Sequence, residues 1–114
     1  MHEMGIAFEL IETLQDVCEK NRIKRLLSVT LKVGEASMVV PDYLRECWEA
    51  AVPDTAFKDT QLKMVKTVAK GRCNKCGYAF SIAKEDRKCP HCGAYDDFIP
   101  ISGMDIEISK VEAE

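Results

Sequence analysis

Residues 73–93 read CNKCGYAFSIAKEDRKCPHCG, and this stretch decides how the rest of the chain is to be read. Cys73, Cys76, Cys89 and Cys92 are spaced C-x2-C-x12-C-x2-C. Two such pairs form two knuckles that grip one tetrahedral zinc ion. Gly77 and Gly93 each follow the second cysteine of a pair, where the chain must turn tightly enough to aim backbone amides at the sulfurs. The competing reading is a pair of disulfides. Nothing in the chain looks like a secretory signal, and thiols of a cytoplasmic protein are kept reduced, which favours metal. Four thiolates complete the tetrahedron and leave no position for water or substrate, so the ion is expected to hold structure rather than perform chemistry.

The residues around the knuckles are basic and those after them acidic. Lys70 to Cys92 carries six cationic residues against Glu85 and Asp86, whereas Gly93 to Glu114 carries six carboxylates against Lys110. A solvated surface is the simplest account of that asymmetry, with a partner-docking face as the alternative. The 114-residue chain as a whole has a net charge of −3, which argues against a dedicated nucleic-acid binder. Its 46% hydrophobic and 31% charged content is ordinary for a soluble globular protein, and no apolar run is long enough to span a bilayer. A cytoplasmic location without membrane contact is expected.

Upstream of the knuckles, Met4, Ala7, Ile11, Leu14 and Cys18, reinforced by Leu10 and Val17, recur at three- and four-residue spacing, so an amphipathic helix is expected there. Asn21 is its expected terminator in the left-handed conformation. Leu27, Val29, Leu31 and Val33 alternate with Ser28, Thr30 and Lys32, a strand with one buried face that ends at Gly34. Pro41 suits the first turn of a second helix, with Leu44, Cys47, Trp48 and Ala51 as its apolar stripe and Pro53 beyond its end. Gln61 to Ala69 reads as a second strand. Met104, Ile106 and Ile108, alternating with polar residues, read as a third, with a frayed tail after Val111. The expected fold is α+β: two helices on a small three-stranded sheet, with a zinc-ribbon-like module inserted before the last strand. The first two strands, joined through a helix, are expected as parallel neighbours, though the sequence alone does not fix their order. The domain division is 1–69 plus 96–114 for the α/β part and 70–95 for the zinc-binding part.

Catalytic motifs are missing from the sequence. His2 and His91 are the two histidines, and no Ser/His/Asp set, phosphate loop or HExxH helix occurs, so an enzyme is not expected. Chemistry concentrates instead at the start, Met1-His2-Glu3-Met4. The Met1 amine, the backbone nitrogen of residue 2 and the His2 ring can close two fused chelate rings in one plane. Planar nitrogen donation selects Ni(II) or Cu(II) over zinc. A fourth corner is left for Glu3, through its backbone nitrogen or its carboxylate, or for another molecule, and an open corner lets the metal be handed on. The competing reading of this stretch is a disordered start or a residue left by a tag.

Taken together, Met1-His2-Glu3-Met4 opening a helix, Val33-Gly34-Glu35 ending a strand, Pro41-Asp42-Tyr43-Leu44 beginning a helix and the two CxxC pairs resemble the HypA/HybF family of hydrogenase maturation factors over the whole chain. The resemblance implies a nickel metallochaperone. In it, nickel sits on the N-terminal amine of Met1, on His2 and on the Glu3 backbone, and zinc sits on Cys73, Cys76, Cys89 and Cys92. It also implies cooperation with a HypB-type GTPase and, as recipient, the large subunit of a [NiFe] hydrogenase; some relatives serve urease and its maturation proteins as well. Gly5 and Cys47 depart from residues often seen in relatives, without touching the proposed ligands. The alternative function is a zinc-ribbon interaction module for nucleic acid or transcription machinery, with Tyr78 and Phe80 as the aromatic candidates among the basic residues. His91, inside the second knuckle, is expected to face solvent, the sharper alternative being that it tunes or replaces a thiolate. Cys18, Cys47 and Trp48 are expected in the core.

Overall fold

A computed structural model describes residues 2–114. Helix α1 (Glu3–Lys20) is followed by β1 (Leu26–Gly34), α2 (Pro41–Ala51), β2 (Gln61–Thr67), β3 (Lys70–Cys73), β4 (Ala79–Ser81), β5 (Phe98–Ser102) and β6 (Ile106–Ala113). The strands form two three-stranded sheets, β2-β1-β6 and β4-β3-β5. Both expected helices and the three-stranded sheet are present, with β1 and β2 as neighbours. The chain divides into two compact units. One comprises the chain up to Lys32, Val39–Val65 and Glu107–Glu114; the other comprises Val33–Met38 and Lys66–Ile106.

In the first unit α1 packs against α2. The buried face of α1 is Ala7, Leu10, Ile11 and Leu14, the a/d-type spacing of a core-facing helix, while Met4 and Phe8 are exposed. Helix α2 buries Leu44, Cys47 and Trp48, with Pro41 in its first turn where a missing N–H costs nothing. Strand β1 is central in its sheet and is the most buried, Val29, Leu31 and Val33 being almost wholly covered.

Three local expectations change. Leu27 is exposed while Leu26 and Ser28 are buried, so the alternation changes phase within β1. The buried Ser28 hydroxyl donates to the Glu112 carboxylate at 2.5 Å, which satisfies the polar group. Asn21 is not left-handed (φ −106°). Its side-chain amide donates to the Val17 carbonyl at 2.8 Å, closing the last turn, and Arg22 takes the positive φ instead. Nor does the tail fray after Val111: β6 runs to Ala113, and the Glu114 amide donates to the Arg25 carbonyl at 3.1 Å.

The second unit contains a sheet that the hydrophobic pattern does not reveal. Strand β3 pairs antiparallel with β4 and with β5. Its core is small: Cys73, Phe80 and Cys89, with Ala94 and Phe98 packed against them. Phe80 and Phe98 meet edge to face, 5.7 Å between ring centroids. Gly71 makes room for this pair, since a Cβ there would lie 2.6 Å from the Phe98 ring. Val33–Met38 is stitched into the same unit by backbone bonds from Glu35 to Thr67 (2.8 Å) and Ala36 to Gly103 (2.9 Å), and by the Glu35 carboxylate, which accepts the Ala69 amide at 3.0 Å.

Candidate metal centres

The knuckles are built twice to the same plan. In the first, the Gly77 amide donates to the Cys73 carbonyl and the Cys73 amide to the Tyr78 carbonyl, both at 2.9 Å. In the second, Gly93 donates to Cys89 and Cys89 to Ala94, again at 2.9 Å. Each turn requires a residue with positive φ, and Gly77 (77°) and Gly93 (81°) supply it without a Cβ penalty. The folded turns then aim amides at sulfur: Lys75 N–H lies 3.4 Å from Cys73 Sγ and Cys92 N–H 3.5 Å from Cys89 Sγ.

This brings Cys73, Cys76, Cys89 and Cys92 together, with all four sulfurs within 4.8 Å of one another. Cys73 and Cys92 face each other at 3.5 Å, as do Cys76 and Cys89. A tetrahedral zinc with Zn–S of about 2.3 Å separates its sulfurs by about 3.8 Å, so the donor set fits a zinc ion. The electrostatics agree. The Cys76 and Lys75 amides hold the Cys73 thiol down to about 7, while Cys76, despite the Tyr78 amide, is pushed up to about 12 by burial and by the neighbouring thiols. Cys89, although burial opposes it, is lowered by the Cys92 and His91 amides; Cys92, against the Ala94 amide, is raised by Cys73 and by burial. Within each knuckle one thiol is shifted down and the other up, because four such close thiolates cannot all carry charge without a cation among them.

His91 stays outside the sulfur cluster. Its exposed ring stacks on Tyr78, 5.3 Å between centroids and 12° from parallel. Phe80 is buried and therefore no platform for a base, and Tyr78 already carries His91 on one face. Cys47 and Trp48 lie in the core as expected, and Cys18 is half-buried, its thiol pushed up by burial.

Met1 lies outside the described residues. His2 is the N-cap residue of α1, exposed, with its carbonyl accepting the Ile6 amide at 2.8 Å. Glu3 is the first helical residue, and its side chain is 1% exposed. Its Oε2 accepts the Val40 amide at 3.0 Å, and that bond is the main reason its carboxyl lies below the usual carboxylate range. Sequence reasoning placed Glu3 beside a metal and missed this contact. A signal existed: α2 begins Val40-Pro41-Asp42-Tyr43, with no Ser, Thr, Asp or Asn at the N-cap and no Glu or Gln at N3, so the N-cap amide needs an acceptor from elsewhere.

No helix among the described residues is long and apolar enough to cross a membrane. Comparison with known proteins gives one consistent answer. Residues 1–113 match the family model described as "Hydrogenase/urease nickel incorporation, metallochaperone, hypA". The chain is 36% identical to the hydrogenase maturation factor HypA of Geobacter metallireducens and 32% identical to that of Geobacter sulfurreducens, each over the full length of both proteins. Its fold matches the solution structure of the Ni metallochaperone HypA from Helicobacter pylori with a TM-score of 0.78 at 22% identity, covering 99% of this chain and 97% of that one. The chain belongs to the HypA family.

Proposed function

We propose that this protein is a nickel metallochaperone of hydrogenase maturation. Ni(II) is its cargo, taken on the N-terminal amine of Met1, on His2 and on the Glu3 backbone nitrogen, while Cys73, Cys76, Cys89 and Cys92 hold a resident zinc ion. The observation that carries the nickel assignment is the position of His2 and Glu3 at the opening of α1. The imidazole is exposed, and the helical ladder does not use the first four N–H groups of α1, so these nitrogens can turn to a metal without breaking the helix. Planar nitrogen donors suit Ni(II), and an unfilled corner allows transfer.

The zinc ion, when bound, ties the two knuckles together. The chain's own contribution there is to orient the four sulfurs with main-chain amides and to leave no coordination position open. By metal, 70–95 is assigned to zinc and 1–69 with 96–114 to nickel, although Val33–Met38 and Lys66–Ile106, knuckles included, fold in one compact unit. The work is delivery rather than catalysis, in the cytoplasm, where thiols stay reduced. Its partners are a HypB-type GTPase and the large subunit of a [NiFe] hydrogenase, with urease maturation as a second destination open to the family. Calorimetric titration with Ni(II) of the untagged protein, of His2→Ala and of a version extended before Met1 tests the nickel site. Binding is expected in the first and lost in the other two; unchanged binding in either variant refutes the assignment.

A further inference from the structure

Glu3 presents two groups to a metal, a main-chain nitrogen and a carboxylate, and the two are not equivalent. The carboxylate is buried, and Oε2 is occupied by the Val40 amide at 3.0 Å. Val40 is the N-cap of α2 and receives no side-chain cap from its own helix. In a capping box, a Glu three residues into a helix accepts the N-cap amide; here Tyr43 stands at that position and Glu3 of α1 supplies the acceptor across the helix pair. Its negative charge also falls at the positive end of α2, and it is among the charges that raise the Tyr43 phenol, after the larger effect of Cys47.

We propose that the Glu3 carboxylate is a positioning group. It fastens the first turn of α1 to the start of α2 and so fixes the Glu3 main chain for nickel, instead of ligating the ion. This rests on the nickel reading above. Drawing Oε2 onto a metal would cost the N-cap amide of α2 its acceptor, whereas the main-chain nitrogen ligates without disturbing that bond. The fourth corner of the metal therefore belongs to the Glu3 nitrogen or to an outside ligand, and the α1–α2 junction carries the order that the site needs.

The test uses the untagged protein with Glu3→Gln and Glu3→Ala, read in two ways. Without metal, Val40 amide exchange is followed by NMR; with Ni(II), the visible band and the affinity are measured. Glutamine keeps an acceptor oxygen, so Val40 stays protected and affinity stays within about threefold of wild type. Alanine removes the acceptor of the Val40 amide, speeds its exchange roughly tenfold or more, and weakens nickel roughly tenfold through lost preorganisation. In both variants the band keeps its wild-type position. A shifted band in either makes the carboxylate a ligand and overturns the proposal, as does unchanged Val40 exchange in the metal-free alanine variant. Should the alanine variant fail to fold, seen in the emission of Trp48, the glutamine variant decides by its band and by Val40. Wild-type protein that takes up no Ni(II) refutes the nickel reading, and Val40 exchange still decides whether the clasp exists.

Discussion

Removing zinc should dismantle the second unit and leave the first standing. The sulfurs of Cys73, Cys76, Cys89 and Cys92 lie within 4.8 Å of one another, and the unit's buried apolar side chains beyond two of those cysteines are Phe80, Val33 and Ala69, with Ala94 and Phe98 packed beside Phe80. A fully buried Phe contributes at most about 3 kcal/mol. Structural zinc in small cysteine modules contributes about 10–16 kcal/mol, as much as the whole stability of a typical domain, about 5–15 kcal/mol. Taking it away also leaves sulfurs that cannot all ionise side by side. Helices α1 and α2 by contrast bury Ala7, Leu10, Ile11, Leu14, Leu44 and Trp48 without any metal. The assay is chelation confirmed by metal analysis, followed by amide NMR, thiol alkylation and fluorescence of Trp48, the one tryptophan of the chain. Amides of 70–102 should collapse to unfolded positions, and all four knuckle thiols should become alkylable, while Trp48, 3% exposed, keeps its buried emission. Retained dispersion of 70–102 in zinc-free protein, or exposure of Trp48 in step with zinc loss, would refute the reasoning.

Three further outcomes are expected. Gly77→Ala and Gly93→Ala meet no side-chain obstacle closer than 3.9 Å, so their effect is that of the positive φ alone, about 1–2 kcal/mol each; competition with a chelator should show zinc held roughly tenfold more weakly. Gly71→Ala forces a methyl against the Phe98 ring and should destabilise the knuckle unit by about 1–3 kcal/mol, read as a lower melting point of its amides with Trp48 emission unaltered. Glu112 is held below the usual carboxylate range by the Ser28 hydroxyl and then by Lys63. The unfolded chain therefore binds its proton first as pH falls, and the stability this group contributes, present above the unfolded value of about 4.3, is lost as pH drops through the folded one. Urea titrations followed by Trp48 should show that decline in wild type and a shallower one in Glu112→Gln; equal slopes would show that Glu112 is not responsible.

Periodicity along the chain was enough to locate α1, α2, β1, β2 and β6, because an element that buries one face writes its repeat into the sequence. It was blind to β4 and β5. Ala79–Ser81 is too short for a pattern, and Phe98–Ser102 leaves Ile99 and Ile101 exposed, so neither strand carries an alternation that points to a core. Those strands exist because they pair with β3, beside cysteines that the knuckle turns draw together. The phase change in β1 and the ordered tail of β6 escaped for a related reason. Ser28 is buried because Glu112, 84 residues away, meets its hydroxyl, and no local window contains both partners.

The ligand types and the turn glycines were determined by the sequence alone. Thiol spacing and positive-φ residues are local properties, and four sulfurs on two tight turns have few ways to meet other than around one ion. The candidate nickel donors were likewise local, being consecutive residues sharing chelate rings. What only the tertiary structure decided is where the Glu3 carboxylate goes. Its carboxylate is claimed by an amide 37 residues away because α2 starts at a valine that cannot cap itself, and a carboxylate buried at that junction must find a donor wherever the fold supplies one.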